Sequence, residues 1–145
     1  MKKRYFFLCL LAAVLMLGAC QLETSGNGKL DGYWRLERID TLGGGVNRME
    51  GQRMFWAFQS RLLQTSDLNG RVQACLLRFR KEKDSLLLSD PYLYNRESGD
   101  EPITQLARLA PFGLNSLDER FKVERLGGEK MVLANKKYRL YFTRF

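Results

Sequence analysis

From Tyr33 onward the chain alternates apolar and polar residues in short runs, and this period of two decides most of what it can fold into. Tyr33 to Asp40 places Trp34 and Leu36 on one face and Arg35 and Glu37 on the other. Met54 to Gln59, Arg61 to Ser66, Arg71 to Arg80, Ser85 to Ser89, Glu119 to Leu126, Lys130 to Ala134 and Tyr138 to Arg144 have the same strand character, eight runs in all. The gaps are turn-like. Asn69-Gly70 is a strong hairpin signal, because both residues tolerate the positive φ of a type I′ turn, and Gly127-Gly128 offers the same after Leu126. Glu82-Lys83-Asp84 and Asn135-Lys136-Lys137 are short polar connectors. Strands joined in sequence by tight hairpins form an antiparallel meander. Eight of them can close into an up-and-down barrel with no exposed edge. The expected fold is therefore all-β, an eight-stranded antiparallel barrel beginning near Leu30 and running to Phe145.

One stretch breaks the rhythm. Asp90 to Asp118 holds all three prolines, Pro91, Pro102 and Pro111. Inside it Pro102, as a first helical residue, precedes Ile103, Leu106, Ala107 and Ala110 at helical spacing, and Pro111 and Gly113 stop the run. This predicts one short amphipathic helix in a long loop between strands five and six, lying over a barrel end or against its wall.

The front of the chain is not domain material. Lys2, Lys3 and Arg4 precede the uncharged apolar run Tyr5 to Leu17, 13 residues long. A basic segment followed by an apolar one of that length reads as a secretory signal, too short to cross a bilayer as a helix. Leu17-Gly18-Ala19-Cys20 resembles the bacterial lipobox, in which cleavage after the small residue leaves the cysteine first and its thiol carries diacylglycerol. An ordinary secreted chain with a chance cysteine and an uncleaved anchor are the alternatives. The resemblance implies cleavage between Ala19 and Cys20, a signal peptide over 1–19, and a membrane anchor at Cys20. One acyl chain binds marginally, and two or three hold stably. Gln21 follows the cysteine in place of the aspartate that retains such proteins at the inner membrane, so the expected location is the cell envelope, at the outer membrane. The polar, Gly-rich residues up to Lys29 cannot bury a face and read as a flexible tether, giving a lipidated cysteine plus tether over 20–29.

Removing residues 1–19 takes three of the 24 basic residues and none of the 16 acidic ones, so the net charge falls from +8 to +5. The basic residues are scattered, with no run longer than Lys136-Lys137, so they read as surface charge and not as a nucleic-acid footprint. Processing also removes Cys9, and with Cys20 acylated Cys75 has no thiol to pair with.

Candidate chemistry is sparse. The chain has no histidine, which excludes a Ser-His-Asp triad, a Cys-His pair and histidine metal sites. Neither a cofactor nor a metal is expected. Cys75 shares a strand face with Leu77 and Phe79; it reads as a small core residue, or as a cavity-lining one together with Phe79 if the barrel is hollow. A reactive thiol needs a base or a cationic setting. Tyr92, Tyr94 and Phe112 flank the insertion, where they would either contact a ligand at the barrel mouth or pin the loop to the barrel.

Gly32-Tyr33-Trp34 resembles the G-x-W that opens the first strand of lipocalins. There the tryptophan plugs the closed end of the barrel, and an arginine from the last strand, or just beyond it, packs across the indole. Arg139 and Arg144 are the two candidates for that arginine. The chain lacks a T-D-x-x-Y motif and a long C-terminal helix. Together with the lipobox, Gly28-Lys29-Leu30-Asp31-Gly32-Tyr33-Trp34, Phe55-Trp56-Ala57-Phe58, Asp90-Pro91-Tyr92-Leu93-Tyr94 and Ala110-Pro111-Phe112-Gly113 make the chain similar to small lipocalin-like lipoproteins of Bacteroides-type bacteria. That resemblance implies a lipocalin-like (calycin) barrel and an envelope address. It implies no activity.

Three functions of different class follow. The first is a membrane-anchored binding module for a small apolar ligand. The second is an accessory subunit of an envelope protein complex, with a filled barrel as scaffold. The third is an enzyme, disfavoured because nothing pairs a nucleophile with a base. An eight-stranded barrel either fills its interior with side chains or holds one small ligand. Trp34, Leu36, Cys75, Leu77, Phe79, Phe121, Val123, Met131, Leu133, Leu140 and Phe142 are the expected inward residues, and most are large.

Overall fold

The computed structural model describes residues 25–145. The lipidation site Cys20, the cleavage position at Ala19 and tether residues 21–24 lie outside them. Eight strands make the barrel: β1 Gly32–Thr41, β2 Met54–Gln59, β3 Leu62–Asp67, β4 Cys75–Glu82, β5 Ser85–Leu93, β6 Glu119–Leu126, β7 Lys130–Ala134 and β8 Tyr138–Arg144. Each pairs antiparallel with its sequence neighbour, and β1 pairs with β8 from Trp34↔Arg144 to Thr41↔Tyr138, which closes the sheet. Two-residue segments, Val46–Asn47 and Glu101–Pro102, add to β1 and β5.

The alternation places the expected residues inside. Trp34, Leu36, Cys75, Leu77, Phe79, Phe121, Met131, Leu133, Leu140 and Phe142 are buried, and Val123 is half-buried against them. Burying one such large side chain contributes roughly 1.5–3 kcal/mol. The pattern shifts phase where the ladders slip a residue, at Glu37, at Asp90-Pro91 opposite Leu77, and at Glu124. At the second of these Asp90 takes φ +50°, and the bulge carries β5 past its expected end at Ser89 to Leu93.

Two turns differ from expectation. Asn69-Gly70 does not make a two-residue hairpin: Thr65 pairs with Cys75, and a seven-residue loop, 68–74, intervenes. The Asp67 carboxylate organises that loop by accepting hydrogen bonds from the backbone N–H groups of Asn69, Arg71 and Val72 at 2.9–3.2 Å, an aspartate-centred turn that competes with the hairpin. Neither Gly127 nor Gly128 takes positive φ; the turn there closes with Gly127 N–H on the Lys130 carbonyl.

The helix in the long loop does not form. Pro102 is extended in its short strand, and Ile103 N–H donates to the Pro91 carbonyl, which commits that end of the segment to the sheet. Two 3₁₀ turns follow, Leu106–Arg108 and Ala110–Phe112. Pro111 has no N–H and disfavours the α conformation at Ala110, so a continuous helix through this point is blocked. Of the expected apolar face only Ile103 is buried. Leu106, Ala107 and Ala110 are exposed, while Ile103, Leu109, Phe112 and Leu114 go into the core.

The two barrel ends are therefore built differently. At one end lie the tight turns after β2, β4 and β6, covered by the N-terminal residues and their 3₁₀ turn Gly28–Leu30. At the other lie the longer connections, of which 94–118 is the largest.

Candidate functional site

The barrel interior is the first place to look for a site, and aromatic side chains fill it. Trp34 and Trp56 are direct cross-strand partners on β1 and β2, and both are fully buried. The Trp56 ring packs against Phe142 at 4.9 Å, Phe121 at 6.1 Å and Phe58 at 6.2 Å between centroids, and Phe58 meets Phe79 edge-on at 5.0 Å. Each indole then reaches toward a different end. Trp34 Nε1 donates to the Leu30 carbonyl at 2.8 Å, holding the N-terminal cap, and Trp56 Nε1 donates to the Phe112 carbonyl at 3.1 Å, holding the long insertion. One cross-strand pair thus satisfies both buried indole N–H groups and secures both ends.

Of the two candidate arginines, Arg144 lies over Trp34, its guanidinium carbon 4.3 Å from the ring centroid. It also donates to the backbone carbonyls of Asp31 at 2.7 Å, Gly128 at 2.6 Å and Lys29, so it ties the N-terminal cap and the β6–β7 turn together. Arg139 is not at this end plug. It sits on the outer wall in a two-nitrogen contact with Glu124.

The proposed ligand contacts do not converge. Phe112 is fully buried beneath the insertion and belongs to the plug, not to a mouth. Gly113 beside it takes φ +84°, and a Cβ there would meet Leu140 at 2.9 Å, so the plug's path depends on glycine. The buried Glu119 carboxylate fastens the insertion further, accepting from Asn115 N–H at 3.1 Å and from Asn135 Nδ2 at 2.8 Å. Tyr92 is exposed, and Tyr94 lies half-buried under the Arg96 side chain. Cys75 is fully buried beside Thr65 in the filled interior, where burial pushes its thiol pKa up. A neutral, enclosed thiol is a poor nucleophile. Phe79 is packed on Phe58 and also lines a solvent-open cleft that none of the other four candidates lines.

Sequence reasoning missed the role of Trp56 and the Glu119 clamp. Trp56 carried a signal, since its inward position on β2 follows from the alternation. The clamp carried none, because its partners lie 4 and 16 residues apart and meet only in the fold.

Several clefts open to solvent at the barrel surface, one of about 590 Å³ past Glu37, Arg125, Lys130, Tyr141 and Thr143. Another, of about 420 Å³, is lined by Arg61, Arg78, Arg80, Arg120, the β5 residues Leu87 to Ser89 and, from the core side, Phe79. A third, of about 540 Å³, runs past Tyr33, Ala57, Leu62, Gln64 and Leu76. No group of three His, Cys, Asp or Glu side chains able to hold a metal ion occurs among the described residues.

A closed eight-stranded meander with a tryptophan and an arginine at its N-terminal plug is the architecture of a lipocalin-like barrel. Residues 14–145 match the lipocalin-like domain family, and the chain belongs to it. Among solved structures it is similar to a lipocalin-like protein from Bacteroides uniformis, with TM-score 0.62 and 20% identity over 81% of this chain and 100% of that one. It is also similar to an uncharacterized protein from Bacteroides eggerthii, with TM-score 0.59 and 18% identity over 79% of this chain and 98% of that one. At these identities the likeness shows the fold. Among curated proteins none matches.

Proposed function

We propose that this chain is a non-catalytic, lipid-anchored scaffold of the cell envelope, held at the outer membrane through Cys20, that works through the outer wall of a filled barrel. A lipocalin-like barrel fits a binding module, and the observation that carries this reading is where the space for binding lies. The interior is occupied by Trp34, Trp56, Phe58, Phe79, Phe121 and Phe142, with a cap bonded to an indole at each end, while the clefts lie outside. This favours the accessory-scaffold reading over a small apolar ligand held within, which would have to displace the Phe112 segment. The address rests on the basic start, the apolar run and Leu17-Gly18-Ala19-Cys20.

Titration with a fluorescent fatty acid tests the filled barrel. Wild-type protein is expected to show no saturable uptake; saturable uptake would return the function to ligand carriage. Anchoring is read separately by Cys20→Ala, which is expected to abolish palmitate incorporation and membrane fractionation. Retention of both in that variant would end the lipid-anchor reading.

A further inference from the structure

We infer that the arginine-lined groove on the outer wall docks phosphate headgroups of the membrane surface to which the tether leads; the inference rests on the lipid anchoring proposed above. The groove has β5 as its floor, through Leu87, Leu88 and Ser89. Arg78 and Arg80 of β4 form one wall, Asp118 and Arg120 at the start of β6 form the other, and Arg61 of the β2–β3 turn stands at one end. These arginines are scattered in sequence and meet only through register. Arg80 pairs with Leu87, and Leu87 pairs with Arg120, so the two arginines stand two strand spacings apart, about 10 Å, on either side of one apolar residue.

The charges there are available. Arg61 and Arg120 make no ion pair or side-chain hydrogen bond among the described residues. Arg78 and Arg80 pair with Asp90 at 3.9 Å and Glu82 at 2.7 Å, with all four side chains at least half exposed. Exposed pairs of this kind hold little energy and exchange readily for another anion. Of the two acids that line the groove, Glu119 has both carboxylate oxygens bonded elsewhere, to Asn115 and Asn135, which leaves Asp118. Arginine suits the partner, because its planar guanidinium binds phosphate oxygens in pairs.

The position of the N-terminus commits the groove to a membrane. Asn27 Nδ2 donates to the Ser60 carbonyl at 2.8 Å, so the N-terminal segment leaves the barrel beside Arg61. Five residue steps from Cys20 to Ser25 span at most about 18 Å when fully extended, which keeps this wall near the lipid. Apolar surface lies next to the groove as well. Leu62, the cross-strand partner of Arg78, is 47% exposed, and Tyr33 beyond it is 59% exposed. Tyrosine and aliphatic groups beside basic ones suit the depth of the headgroups.

Residues 25–145 close a barrel over their own core, so the chain from residue 20 onward, with Cys20→Ser, carries the whole fold without the acyl anchor. The probe is vesicles of phosphatidylcholine with or without phosphatidylglycerol. This protein is expected to partition onto the anionic vesicles only, and less as salt rises. Juxtamembrane basic residues give about five-fold each, so Arg61→Ser with Arg120→Ser is expected to weaken partitioning roughly 30-fold. Arg53→Ser with Arg71→Ser, on exposed loop residues at the other end, is expected to leave it unchanged, and all proteins should melt alike. Equal binding to both vesicle types, or equal losses from the two double variants, would overturn the inference. Inorganic phosphate binding in the groove without vesicle binding would overturn its lipid source. None of these outcomes bears on acylation at Cys20, which the palmitate experiment reads by itself.

Discussion

The two ends of the barrel are closed by the same chemical device reached through different sequence. At the N-terminal end Trp34 Nε1 bonds the Leu30 carbonyl, four residues away, and Arg144 lies across the ring. At the other end Trp56 Nε1 bonds the Phe112 carbonyl, 56 residues away, and glycine and glutamate fix the segment that carries it. The first plug is local and motif-like. The second depends on a long insertion settling into the barrel, a contact of high loop-closure cost. The interior is packed at that end because the long insertion supplies Ile103, Leu109, Phe112 and Leu114 to the core.

The comparison breaks most sharply at the tryptophans. Trp56→Ala removes a buried ring and the donor to Phe112, and is expected to cost about 3–5 kcal/mol in chemical denaturation. Trp34→Ala should cost about the same, and a loss confined to one of them would mean that only one end is sealed. Glycine substitutions come next. Gly113→Ala forces a left-handed φ on alanine and drives its Cβ into buried Leu140, for about 1–3 kcal/mol. Gly32→Ala, at φ +108°, meets Arg144 Nη1 at 2.8 Å and would push it off the Asp31 carbonyl, so its cost combines backbone strain with part of the Arg144 contact. Thermal melts of both variants rank them.

Arg144→Met removes the contact on Trp34 and three bonds to carbonyls, and is expected to cost about 1–2 kcal/mol. Arg139→Met breaks an exposed pair with Glu124 and should cost under about 1 kcal/mol. Equal losses would show that the N-terminal plug draws nothing from its arginine.

The smallest effect is a pH dependence at Cys75. Its folded pKa lies above the unfolded value, so the fold holds the thiol proton more tightly. Stability from this group is full below about pH 8.5 and drains as pH rises further. Wild-type protein should lose stability relative to Cys75→Val above that pH, in paired urea titrations.

What was legible in the sequence follows from how local each signal is. Alternation fixed which side of each strand faces inward, so Trp34, Leu77, Phe121 and Phe142 were placed correctly from spacing alone. Closure of the sheet was implied by the count of hairpins. The insertion misled because its helical spacing was outweighed by two prolines and by a sheet edge that captured Ile103 through Pro91. Asn69-Gly70 misled because Asp67, two residues earlier, offered the backbone better acceptors. For Phe112 the sequence left ligand contact and loop pinning both open, because nothing in its own neighbourhood points to Trp56, and the structure shows the pinning role. The groove arginines looked like dispersed surface charge, and only the register of β4, β5 and β6 gathers them.

The central claim is that both ends are closed around a filled interior, and indole hydrogen exchange tests it most directly. Nuclear magnetic resonance resolves the Nε1–H signals of the chain's two tryptophans, Trp34 and Trp56. If both bonds stand as described, both protons exchange slowly, through the same global opening. Slow exchange at Trp34 with rapid exchange at Trp56 would mean that the insertion lifts away and the barrel has a mouth, contradicting the account.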